Sequence, residues 1–417
     1  MNVLLSHPAG NQNVRAMLEG LESAGMLSRF ATTLAAPAAD SMAAGLLPGG
    51  LRRELSRRRF ELPPEKIIEH SWREVARIAA GRFGWKRWLR HEHGLLSVDA
   101  VLLDFDRFVA RALPRLHREQ RLGAIYSYED SALASFEAAR DLGMRRIYDL
   151  PISYWEVGRQ LMREEAERLP RWADTLGGGM FDSDAKLQRK VDELKLAELV
   201  VVPSQFVADS LPAWAADKAR VMSPFGSPAS PDAAAGWTPR APDPSRPLRV
   251  LFVGSMGQRK GLADLLQAMP LLAGENIELV VMGAPLGELD FYRHEFAGFT
   301  YEKGRPHAEV LALMRSCDVF CLPSLYEGRA LVMQEAMSQG LPLVITPNTG
   351  GTDLVIEGRT GFMVPIRSPG KIAEKLAWFN QNRDQLTAMK QAAVAHAAGY
   401  SWRRYSETVI DAIRRLA

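Results

Sequence analysis

A chain of 417 residues exceeds the size at which a single hydrophobic core stops growing, so two domains are the first expectation. With 47% hydrophobic and 24% charged residues the composition is that of a soluble globular protein, and a net charge of +3 is too small to imply a nucleic-acid partner by itself. The two cysteines, Cys317 and Cys321, have no second Cys or His pair nearby and read as packed thiols rather than a disulfide or metal site. The start, Met-Asn-Val-Leu-Leu-Ser-His-Pro, lacks the basic region and apolar length of a signal peptide. No apolar run approaches the roughly 20 residues that span a bilayer. A cytoplasmic protein is expected, with contact at the inner face of a membrane left open.

Short apolar runs alternate with longer helical patterns, the signature of βαβ units and parallel sheets. In chain order the expected strands are Asn2–Ser6, Gly123–Ser127, Arg146–Leu150 and Leu199–Pro203, then Leu248–Gly254, Glu278–Gly283, Asp318–Pro323 and Leu343–Thr346. Each set begins with a strand that runs into a polar, glycine-bearing loop, residues 6–13 and 254–261. Between the sets, 226–247 is proline-rich without an apolar period and reads as a linker. The fold class expected is α/β, two Rossmann-like doubly wound domains facing across a cleft, with a ligand outside the carboxyl ends of the strands. The domains are 1–225 for the acceptor and 248–400 for the donor. A helix over 401–417, with Trp402, Tyr405, Val409, Ile410 and Ile413 in a stripe, would complete the first domain or cap the second.

The segment Tyr326-Glu-Gly-Arg-Ala-Leu-Val-Met-Gln-Glu335 carries two acids. On one continuous helix they would lie about 12 Å apart on different faces, unable to share a proton. Pro323 ends the preceding strand, however, and strong helix formers begin at Ala330, so Glu327 falls on a loop and Glu335 inside a helix that Gly340 and Pro342 terminate. A helix N-terminus between two acids suits a ligand with phosphates in the middle and hydroxyl-rich groups at both ends. A nucleotide-sugar is such a ligand. In the loop 254–261, Arg259 and Lys260 stand at a helix start, where cations oppose the helix dipole unless an anion binds between them; a solvated basic loop is the plainer alternative. The glycines at 254, 257 and 261 do not make a G-x-G-x-x-G dinucleotide fingerprint.

Glu327-Gly328 through Glu335-Ala336-Met337, followed by Gly340-Leu-Pro and Thr349-Gly-Gly351, resembles the E-x7-E signature of family 4 of the retaining glycosyltransferases (group 1), which have the GT-B fold. Phe252-Val-Gly-Ser with Arg259-Lys260-Gly261 is similar to that family's diphosphate loop, Leu199–Ala208 to the segment before its crossover, and Gly358–Val364 to its closing strand. The resemblance covers the second half and is thinner in the first. It implies that Glu335 binds the ribose hydroxyls and Glu327 the transferred sugar, with amides of Gly328, Arg329, Ala330 and Leu331 on sugar and phosphate. Arg329 itself has three destinations open to it: sugar, phosphate or solvent. Arg259 and Lys260 would neutralise the departing diphosphate, Arg305 would lie at the base, and Gly10 and Asn11 would close over the donor. Two positions depart from the pattern: Ser255 stands where an arginine is common, and Tyr148-Asp149 stands where many members have a histidine facing the reaction centre. Asp149 is the expected substitute, with Tyr128, Glu129 and His7 as rivals and a structural cap as the plain alternative.

The reaction implied is transfer of a sugar, as a hexosyltransferase of polysaccharide biosynthesis, from a nucleotide-diphosphate sugar to a glycan or lipid-linked acceptor with retention. No metal is expected, because cations and amides can hold the leaving group. His91 and His93 lack ligand partners in sequence and read as structural. From Leu51 to Arg90 the chain has 12 Lys and Arg against 5 Asp and Glu, interleaved with Trp85 and Trp88, which suits an anionic membrane, an acidic glycan or a plain solvated face. Alternatives to transfer are a catalytically silent nucleotide- or partner-binding module and a GT-B sugar epimerase; a phosphorylase would be far longer.

Overall fold

The computed structural model describes residues 1–36, 58–228, 243 and 245–416. Arg52, Arg53 and Arg57 of the basic run, and most of the expected linker, therefore lie outside the described residues. Two all-parallel sheets are present. The first runs β3-β2-β1-β4-β5-β6-β7, with β1 at Asn2–Ser6, β2 at Leu27–Thr32, β3 at Ile67–Glu69, β4 at Leu122–Tyr128, β5 at Arg145–Asp149, β6 at Leu199–Val202 and β7 at Ala219–Met222. The second runs β10-β9-β8-β11-β12-β13, with β8 at Leu248–Val253, β9 at Ile277–Met282, β10 at Phe299–Glu302, β11 at Val319–Leu322, β12 at Leu343–Ile345 and β13 at Gly361–Met363. This is the α/β GT-B architecture expected. Central strands such as Leu-Val-Val-Val of β6 and Val-Phe-Cys-Leu of β11 are buried throughout because helices cover both faces. Both cysteines are buried free thiols, and burial pushes Cys317 up to about 11.

Side-chain alternation divides the first sheet between two apolar layers. Val3, Leu5, Tyr126, Tyr128 and Ile147 face one layer; Leu4, Ile125, Tyr148 and Leu150 face the other. The first layer is closed by the helices Gln12–Ser23 and Trp402–Arg414. Ser401 caps the latter, accepting from the Arg404 amide at 3.1 Å. The last helix thus leaves the second domain and packs on the first, burying Tyr405, Val409, Ile410 and Ile413 at roughly 1.5–3 kcal/mol each.

Asp149 shares the face of Ile147, and this parity corrects its expected role. Its side chain points into the layer closed by the last helix, is 1% exposed, and accepts from Tyr126 Oη at 2.6 Å and Tyr405 Oη at 3.3 Å. It is a core acid. Burial pushes its carboxyl up to about 7 despite the tyrosine donors. The rivals are equally committed: Tyr128 is in the core, Glu129 pairs with Lys190 at 3.1 Å, and His7 Nδ1 accepts the amides of Ala9 and Gly10 at 3.0 and 3.1 Å.

The two domains meet through a segment of the first that lies on the second. In the helix Trp155–Arg168, Glu165 is fully buried and accepts from Arg168, Gln258 and Arg367 (Arg367 Nε at 2.8 Å), while Arg168 also reaches Asp264 at 2.8 Å. Beyond it, Trp172 inserts among the second domain's apolar residues, its ring 4.8 Å from Phe291 and 5.6 Å from Tyr292. Glu165→Ala, which removes the buried acceptor shared by Arg168, Arg367 and Gln258 but leaves Arg168 on Asp264 and Arg367 on Glu164, is expected to cost about 1–3 kcal/mol and Glu165→Gln less, read by scanning calorimetry. An unchanged midpoint would mean that domain engagement does not rest on this acid.

Asp149 gives a pH-dependent prediction. The native state keeps a proton on it between the ordinary carboxylate range and about 7, whereas the unfolded chain releases it, so stability declines as pH rises across that interval. Asp149→Asn should flatten this decline by on the order of 2–4 kcal/mol between pH 4 and 8. Parallel thermal-midpoint profiles of the two proteins would contradict the assignment.

Candidate active site

In the second sheet the strand order reverses between β8 and β11, so the loops after these neighbouring strands diverge and leave a crevice at the sheet's carboxyl edge. The β8 loop ends in the short turn Gln258–Lys260, and the β11 loop carries Glu327. The three charged residues expected to work together meet there. Glu327 Oε1 lies 2.9 Å from Arg259 Nη1 and 2.6 Å from Lys260 Nζ, with Glu327 only 7% exposed. Arg259 further donates to the Tyr326 carbonyl at 3.3 Å, and its backbone carbonyl accepts the Leu325 amide at 2.9 Å, so the two loops brace one another. Burial lowers the Lys260 ammonium below its ordinary range, only partly opposed by Glu327. Two cations against one acid leave the cluster with one positive charge in excess.

Gly261 and Gly328 are required by close approach. A Cβ on Gly261, whose φ is +73°, would stand 1.9 Å from the Pro323 carbonyl oxygen; one on Gly328 would stand 1.7 Å from that of Pro151, after β5. Ser204, after β6, donates to the Gly328 carbonyl at 2.6 Å. The carboxyl edges of the two sheets therefore face each other. Among the described residues the Gly328 and Arg329 amides find no intramolecular acceptor, whereas the Ala330 amide donates to Thr349 at 3.3 Å. Leu331, at the start of the helix Leu331–Ser338, packs against the first domain's apolar layer.

Glu335 lies on that helix, where its Oε1 is 3.1 Å from Nε2 of the exposed His307. His307 opens the helix His307–Arg315 directly after the base loop; its place next to Arg305-Pro306 was the available signal, and sequence reasoning passed over it. Ser255 is half-buried in the β8 loop. Thr175 of the first domain covers that loop, its Oγ1 accepting from the Gln258 amide at 2.9 Å.

Several expected donor contacts are spoken for elsewhere. Arg329 is 4% exposed and its guanidinium turns away from Glu327, donating to Asp353 at 2.7 Å, to the Gly350 carbonyl at 3.0 Å and to Gln334 at 2.8 Å, with the Tyr400 ring 5.0 Å off. It ties β11's loop to β12's and is shielded from solvent. Arg305 is ion-paired with Glu302 at the sheet edge. In the first domain, Asn11 caps its helix by accepting from Val14 at 3.1 Å, and the Gly10 amide is held by His7, whose buried imidazole is driven down to about 4 and stays neutral. Phe60 lies against Gly10, so that a Cβ there would sit 2.2 Å from the ring. Asp149, in the core as described, does not reach the crevice.

Residues 239–396 match the family model described as glycosyl transferases, group 1. A D-inositol 3-phosphate glycosyltransferase of Corynebacterium glutamicum (strain R) is 33% identical over 167 residues, 37% of this chain and 40% of that protein, so the match spans about two fifths of the relative's length. The protein of the same name from Nocardia farcinica is 26% identical over 358 residues, 81% of this chain and 68% of that one. Among solved structures, a sucrose-phosphate synthase from Thermosynechococcus elongatus superposes with a TM-score of 0.66 at 17% identity, covering 100% of this chain and 99% of that one. Anabaena HepE in complex with UDP and glucose gives 0.61 at 14% identity over the full length of both chains. The second domain is thus similar to the group 1 glycosyltransferases, on a chain whose fold is GT-B.

Proposed function

We propose that the protein transfers a sugar from a nucleoside-diphosphate sugar to a glycan or lipid-linked acceptor, with retention of configuration and without a metal. The observation that carries this reading is the convergence of Arg259 and Lys260 on Glu327 ahead of a helix that presents Glu335. A diphosphate arriving between the two cations supplies the negative charge the cluster lacks. The free Gly328 and Arg329 amides donate to the same anion or to the sugar it carries. Glu335 accepts from the ribose hydroxyls, and His307 steadies that carboxylate. In the transfer the bond between the sugar's anomeric carbon and the diphosphate oxygen breaks, and the acceptor hydroxyl bonds to the same face. Its proton passes to the departing phosphate, whose charge Arg259 and Lys260 hold. Glu327, displaced from its cations by the diphosphate, contacts the sugar near the reacting carbon. Thr175 on Gln258 and Pro151 on Gly328 press the domains together over the crevice, so donor entry requires these contacts to part. Relatives named for an inositol phosphate acceptor support a phosphorylated polyol or sugar phosphate as a further acceptor class.

Calorimetric titration with UDP, GDP and ADP is expected to show binding of at least one; silence with all three would remove both the donor site and the enzymatic reading. Binding without turnover over a broad acceptor panel would favour the silent module. Glu335→Ala should weaken nucleotide binding by about tenfold to a hundredfold, the loss of a hydrogen bond to a charged group. Glu327→Ala should leave nucleotide affinity within about threefold and lower kcat by two orders of magnitude or so. Equal losses of nucleotide affinity in both variants would contradict this division of roles.

A further inference from the structure

The first domain presents a surface that the donor site does not use. The helix Trp72–Arg82 ends at Phe83, the chain turns at Gly84, and a short helical turn, Lys86–Leu89, follows. Phe83, Trp85 and Trp88 are 71%, 52% and 46% exposed, and Phe83 and Trp85 stack on each other with ring centroids 5.5 Å apart. The tip is not loose. Phe83 and Trp85 amides donate back into the helix at 3.0 and 2.9 Å, the Trp88 amide to Trp85 at 3.0 Å, and the Leu96 amide to Trp88 at 2.9 Å. Aromatic rings held outward on a hydrogen-bonded backbone have given up apolar burial that the fold does not recover.

The charge around these rings has one sign. Arg82, Lys86, Arg87 and Arg90 are exposed and form no ion pair among the described residues, and residues 81–91 contain no acid. The nearby acids face inward: Glu74 is held by Arg58 and Arg77, and Asp99 by Lys186 at 2.9 Å. Glu92 holds the Ser183 amide at 2.9 Å, which fixes the tip beside the turn Gly178–Phe181, where Phe181 is 69% exposed. Tryptophan and phenylalanine among unpaired cations match an anionic bilayer surface, where the rings enter the headgroup boundary and the cations meet lipid phosphate. A folded protein partner of ordinary composition would need acids to match every cation. A polyanion alone would leave the rings in water.

We propose that Phe83, Trp85 and Trp88, with Arg82, Lys86, Arg87 and Arg90, form a monotopic anchor by which the first domain docks on an anionic lipid surface. The inference does not rest on the transfer reaction; it concerns a surface remote in sequence from Arg259, Lys260 and Glu327. The turn Gly178–Phe181, to which Glu92 ties this tip, lies close in sequence to the first domain's contact with the second, since Phe181 follows Thr175 by six residues. An anchored tip would set the crevice at a fixed height above the bilayer.

The test is sedimentation of the full chain with vesicles of phosphatidylcholine alone or containing one third phosphatidylglycerol. Binding is expected only to the anionic vesicles. The triple variant F83S/W85S/W88S should reduce it by about tenfold or more, and K86E/R87E by a comparable factor, each cation being worth about fivefold on an anionic surface. Circular dichroism and nucleotide titration of both variants check that the fold and the donor site are intact. No binding to anionic vesicles would overturn the proposal. So would full retention by the folded triple variant, or equal binding of wild type and triple variant to heparin and to vesicles, which would mark a mere polyanion surface.

Discussion

The structure turns on one carboxylate. Glu327 lies at the carboxyl edge of β11, and the cations of the β8 loop fold onto it because the strand order reverses between these two strands. Without Glu327, Arg259 and Lys260 would be two like charges in a partly buried crevice, with the dipole of the following helix turn against them. With it, they form a cluster that is held together but not neutral. The loop geometry, the glycines that let backbones touch and the covering segment of the first domain all serve to keep this cluster dry and at one place.

The energetic logic of the interface is similar. Glu165 is fully buried between two arginines and a glutamine, an arrangement stable only while every partner is present. Such contacts favour a defined closed geometry over raw affinity between domains. Because the same segment covers the β8 loop through Thr175, the position of the first domain and access to Arg259 are one variable rather than two.

The sequence disclosed the two sheets through their central strands, whose apolar runs are buried on both faces. β2, β3, β7 and β10 escaped notice: mixed in composition, and in the case of β3, β7 and β10 short and at sheet edges, they carry too little periodicity to stand out. The placing of Glu327 before a helix and Glu335 within it followed from Pro323 and Gly340, local signals that tertiary packing did not overrule. The destination of Arg329, left open, and the role of Asp149, misassigned, escaped for a common reason. A residue's nearness along the chain to a site says where its Cα lies, while the direction of its side chain depends on strand parity and on partners such as Asp353 and Tyr405 that are distant in sequence. Glu165 was invisible for the converse reason, since it matters through partners far along the chain, and His307, signalled only by its place after Arg305-Pro306, was passed over.

The return of the helix Trp402–Arg414 to the first domain bears on how the molecule is made. During synthesis the first sheet emerges early with Tyr126, Ile147 and Val201 on a face that its own helix Gln12–Ser23 closes only in part. That face, and the proton on Asp149 beneath it, must wait until the second domain has been translated and Tyr405, Val409 and Ile413 arrive. The first domain to be synthesised is therefore the last to be finished, and its open face is the part of the nascent chain that most needs protection from other hydrophobic surfaces.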